Sequence, residues 1–137
     1  MKLPLSRATA RGSIPRFLMA GGLATLCHWL VMLCLLRLGL DAMLATGVGA
    51  TAGLLVNYLL QHRYAFRSDL PHPVAFPRYL LGSGLGWVLN LAGFSLLLMA
   101  GAGIAPSQII ATGLVALANY LFAKRFVFHE APTANVQ

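Results

Sequence analysis

Five basic side chains stand where long uncharged runs end: Arg16, Arg63, Arg78, Lys124 and Arg125. A guanidinium holds two oxygens of an anion through parallel hydrogen bonds, and an ammonium supplies a compact point charge. At the ends of apolar runs such groups can grip an anion at headgroup depth. Two plainer roles come with the same placement: attraction to anionic lipid, worth about 1 kcal/mol per basic residue, and the basic bias that sets membrane topology. A second set is polar and uncharged. Asn57 and Asn119 lie five or six residues inside the basic ends of their runs, with Tyr58 and Tyr120 beside them. His28 and Asn90 each follow an arginine by twelve residues.

Depth decides what these groups can do. At 1.5 Å per residue the two asparagines sit about 8 Å inside, and His28 and Asn90 about 18 Å. An amide there either makes an interhelical hydrogen bond or lines a path for a polar headgroup. The tyrosines suit the aromatic belt of a membrane interface or the same path. His28 can bond Asn90 or a backbone carbonyl, or serve as a polar step within the bilayer.

The elements that must hold these residues follow from the charge pattern. Of 137 residues, 58% are hydrophobic and 9% charged, against about 25% charged in soluble proteins. Phe17–Leu36 and Ala42–Gln61 are uncharged runs of twenty residues, and Tyr79–Ala123 is one of forty-five. About twenty apolar residues cross a bilayer. The long run is split by the glycines and proline of Gly101–Pro106. Four transmembrane helices result, near 17–36, 43–61, 79–100 and 106–123. The first is read as a retained anchor, too long for a signal peptide. The prolines at 71, 73 and 77 mark 67–77 as a constrained connector. Tails at 1–13 and 130–137 read as flexible.

Net charge is +7, and nine of ten basic residues fall on one side of a four-span topology. Both termini are therefore expected in the cytoplasm. The charge implies a membrane partner and no nucleic acid. Cys27 and Cys34 are too far apart along a helix for a disulfide and form no metal spacing, so neither metal nor cofactor is expected.

The chain also matches itself at an offset of 62 residues. Arg16-Phe17-Leu18 aligns with Arg78-Tyr79-Leu80, Asn57-Tyr58-Leu59 with Asn119-Tyr120-Leu121, Arg63 with Arg125, and Phe66 with Phe128. Chance apolar similarity aligns leucines; it does not align Arg, Asn, Tyr and Arg in one register. The fold expected is thus an all-α integral membrane protein. It forms a single membrane domain, 1–137, of two parallel two-helix repeats, 16–66 and 78–128.

These segments resemble the GtrA-like family of small bacterial membrane proteins. The resemblance rests on Arg16 to Gly22, Asn57 to Phe66, Arg78 to Gly84 and Asn119 to Phe128. It implies a multi-pass protein of the inner membrane serving cell-surface polysaccharide synthesis. Its ligand would be a polyprenyl-phosphate-linked sugar, with undecaprenyl phosphate as the carrier lipid. The activity implied is flippase-type translocation. The alternative is a scaffold or regulator of a glycosyltransferase partner. An enzyme is not expected, because no span holds a carboxylate and Asp41, Asp69 and Glu130 lie in loops or the tail. A proton-coupled multidrug exporter would carry an acid in its first span, where this chain has His28. Four thin helices enclose little space, so a parallel homodimer is a further expectation.

Overall fold

A computed structural model describes residues 13–129. The expected tails lie outside the described residues, apart from Ser13 and its helix start. The same holds for Lys2, Arg7 and Arg11. Four helices account for most of the rest: α1, Ser13–Arg37; α2, Ala42–Leu60; α3, His72–Met99; and α4, Ile104–Phe122. No strand occurs among the described residues. All four are long and apolar enough to cross a membrane, over helical stretches of 24 to 28 residues. At 1.5 Å per residue, 24 residues cover about 36 Å, more than the roughly 30 Å of hydrocarbon.

The main departure from the sequence reading is the connector. Residues 72–78 are helical, not loop. Pro71 is the N-cap of α3, Pro73 falls in its first turn, and Pro77 follows inside it. A first-turn proline forfeits no helical hydrogen bond, since that N–H has no intrahelical partner anyway. The first bonds run from the Val74 and Ala75 N–H groups to the Pro71 carbonyl, at 2.9 and 3.1 Å.

The chain forms two compact units, one through Arg67 and one from Ser68. In the first, α1 packs on α2 through small residues: Ala20 and Ala24 of α1 and Ala45, Gly49 and Gly53 of α2 are all buried. A Cβ on Gly49 would lie 2.7 Å from the His28 carbonyl oxygen, and one on Gly53 would lie 2.9 Å from that of Ala24. Lipid tails are as apolar as leucine, so close van der Waals packing takes the place of a hydrophobic drive. The bulky side chains, such as Leu18, Trp29 and Leu30, face outward accordingly. In the second unit, Ala75, Tyr79, Gly82 and Gly86 of α3 are buried with Ser107, Ala111 and Tyr120 of α4. Here the glycines meet side chains: Gly82 faces the Phe122 ring and Gly86 the Asn119 amide.

Each unit turns between its helices in the same way. Gly39 and Gly101 take positive φ of 86° and 89°. The next N–H reaches back five residues, Leu40 to the Leu35 oxygen at 3.1 Å and Ala102 to that of Leu97 at 3.0 Å. This is the Schellman ending, which needs the left-handed residue that glycine supplies. Asp41 then caps α2, its carboxylate accepting from the Met43 and Leu44 N–H groups. Gly103 holds that place in the second unit and has no side chain to cap α4.

Candidate functional site

Both return helices end in a π turn. α2 runs into Gln61–Ala65 and α4 into Ala123–Val127. Each is closed by an aromatic N–H, Phe66 to the Gln61 oxygen and Phe128 to that of Ala123, both at 2.9 Å. A π turn widens the helix by one residue and recurs at functional sites. Arg63, Lys124 and Arg125 sit on these turns and are exposed.

The leading arginines are placed differently. The Arg16 guanidinium lies 5.8 Å from the centre of the Tyr64 ring, and that of Arg78 lies 5.4 Å from the Phe126 ring. Arg78 also donates to the Phe126 carbonyl oxygen at 3.2 Å, one of the last-turn acceptors that a helix leaves unmet. Stacking of a cation on a ring is worth about 0.5–1 kcal/mol at exposed sites. Arg16 and Arg78 thus tie the leading helix of each unit to its π turn. Arg63 and Arg125 are left open to the surroundings. Lys124 lies 5.9 Å from the Tyr120 ring.

The asparagines part company. The Asn57 Oδ1 accepts from Gln61 Nε2 at 3.1 Å, a bond within the helix and not between helices. Gln61 itself is buried. Among the described residues no hydrogen bond engages the Asn119 amide, which rests against Gly86. Tyr58 and Tyr120 are 4% and 6% exposed, so they pack inside their units and form no aromatic belt. Phe66 likewise packs edge-on against Phe17, with ring centres 6.2 Å apart.

His28 is half-buried, with its ring against the Gly49 position. Its Nε2 is buried and makes no hydrogen bond among the described residues. Asn90 accepts through Oδ1 from the Thr112 hydroxyl at 3.4 Å, and Thr112 Oγ1 in turn accepts from Gln108 Nε2 at 2.8 Å. Gln108 and Thr112 were missed in the sequence reading. The signal was there: Gln108, Thr112 and Asn119 are spaced by four and seven residues, which puts them on one helical stripe. Cys27 and Cys34 are free thiols. No group of three metal-ligating side chains occurs among the described residues.

The four apolar helices and their basic, π-wound ends define a multi-pass all-α membrane protein. The family described as GtrA/DPMS, transmembrane domain, matches residues 16–128, and the chain belongs to that family. No curated protein and no solved structure matches it.

Proposed function

We propose that the protein is a carrier, not an enzyme, and that it flips a polyprenyl-phosphate-linked sugar across the bacterial inner membrane. Membership of the GtrA/DPMS family supports handling of such lipids. One observation carries the site assignment: Arg63 and Arg125 are exposed on π turns with no ring contact among the described residues, whereas Arg16 and Arg78, like Lys124, lie over aromatic rings. The free cations take the phosphate, and the leading arginines hold the turns that present them.

The two units are built to one design at their return helices and π turns. In support, α2 and α4 both have 19 residues, each π turn has five, and all begin 62 residues apart. Charge puts the π turns and both termini on the cytoplasmic side. No span holds a carboxylate, so the flow is downhill, drawn by consumption of the sugar donor on the far side.

The test is exchange of a labelled polyprenyl-phosphate glucose across proteoliposomes. Replacing Arg63 and Arg125 together with Gln is expected to slow it by roughly tenfold to a hundredfold, the worth of lost charged hydrogen bonds. Wild-type protein that is folded, binds the lipid and leaves exchange at the protein-free rate would refute flipping. It would favour the scaffold of a glycosyltransferase instead.

A further inference from the structure

The second unit carries a polar track that the first lacks. Gln108, Thr112 and Asn119 fall within about 40° of one another around α4 at 3.6 residues per turn. Asn90 of α3 joins them through Thr112. The residues 62 earlier are Thr46, Ala50, Asn57 and His28. Each of these is apolar, engaged or enclosed. Thr46 donates to the Met32 sulfur at 3.6 Å, Asn57 is held by Gln61, and His28 lies against the Gly49 and Gly53 positions. Where the first unit has Gln61 to occupy its asparagine, the second has Ala123.

The track in the second unit keeps capacity to spare. By inventory, Gln108 retains its carbonyl and one N–H, Asn90 its two N–H groups, and Asn119 its whole amide. Gln108 and Thr112 are exposed, and Asn90 and Asn119 half-buried. Hydrocarbon offers such groups nothing, so a polar occupant must meet them.

We infer that this track is the route of the sugar, and that the second unit alone provides it; the inference rests on the translocation reading above. Three observations fix the occupant. The 17 residue steps from Gln108 to Arg125 span about 25 Å, close to the roughly 30 Å of hydrocarbon. Amides and a hydroxyl each offer donor and acceptor, which is what sugar hydroxyls need. Finally, two exposed cations, Lys124 and Arg125, stand at the end of the track, where the first unit sets a buried His62 beside Arg63. Phosphate meets the cations and the sugar passes along neutral groups that do not trap charge.

The experiment uses full-length protein in proteoliposomes with polyprenyl-phosphate glucose. Thr112→Val, Gln108→Leu and Asn119→Leu are each expected to slow flipping about tenfold, the scale of one hydrogen bond in a dry site. Binding of sugar-free polyprenyl phosphate stays at the wild-type level, and so does flipping by Thr46→Val. A second readout needs no transport. With Cys27 and Cys34 replaced by Ser, Thr112→Cys reacts with a water-soluble methanethiosulfonate and Ala50→Cys does not. Wild-type flipping in all three track variants would overturn the route while leaving translocation intact. Equal reaction of both cysteines would do the same. So would track variants that slow flipping only by separating a crosslinkable dimer, since the stripe would then be a seam between copies. A wild-type protein that binds phosphate lipid and flips nothing would overturn both readings.

Discussion

Replacing Gly49 with Ala puts one methyl group where α1 passes closest to α2. The new Cβ would lie 2.7 Å from the His28 oxygen, 2.8 Å from its ring Cδ2 and 3.2 Å from the Met32 Cβ. A carbon and an oxygen rest at about 3.3–3.6 Å, so α1 must retreat by roughly 0.6 Å or more. The nearest obstacle is backbone, which cannot rotate aside. Overpacking of this kind costs about 1–3 kcal/mol, and the gain in helix propensity returns about 1 kcal/mol. The expected net loss is about 0–2 kcal/mol. Gly47→Ala is the control, with nothing within 4 Å of the added carbon; it should gain about 0.5–1 kcal/mol. Gly82→Ala meets the Phe122 ring at 2.7 Å, which can turn, so it falls between them. The assay is reversible unfolding in mixed detergent, followed by circular dichroism. A Gly49→Ala protein as stable as Gly47→Ala would refute the close approach of backbone as the basis of the first unit.

Two further outcomes test smaller features by the same assay. Asp41→Ala removes the carboxylate that accepts from Met43 and Leu44, and should cost about 1 kcal/mol. Retention of full stability would mean that water caps α2 equally well. Ser107→Ala should be neutral or stabilising by about 1 kcal/mol, because the fully buried Ser107 hydroxyl makes no hydrogen bond among the described residues. A clear loss of stability would show that the hydroxyl has a partner in the folded protein.

The number of helices and their rough ends were legible because charge is expensive in hydrocarbon, so charged residues mark where it stops. The contact faces have a sequence signal too, since Gly49 with Gly53 and Gly82 with Gly86 are spaced by four residues, which permits close approach of helix backbones. The π turns were not. They depend on one extra residue in a hydrogen-bonded ring, and no residue type encodes that. For the same reason Arg16 and Arg63 looked alike in the sequence, although only Arg16 is seated on a ring. The proline connector was misread because proline signals a break in the middle of a helix and a beginning at its start. Gln108 and Thr112 carry only half a signal in the sequence: their spacing puts them on one stripe of α4, whereas their link to Asn90 depends on how α3 packs on α4.

The tight turns between paired helices bear on how the protein is made. Only Leu38–Asp41 separates α1 from α2, and only Ala100–Gly103 separates α3 from α4. In the proposed orientation these are the only stretches between helices that the insertion machinery carries across the bilayer. The first is bordered by Arg37 and includes Asp41, whose charges cancel, and the second has none. Each unit also has its own interior of small residues, and that of the first is complete before the second is synthesised. The ribosome can therefore deliver the chain as two successive hairpins, each entering the lipid already paired.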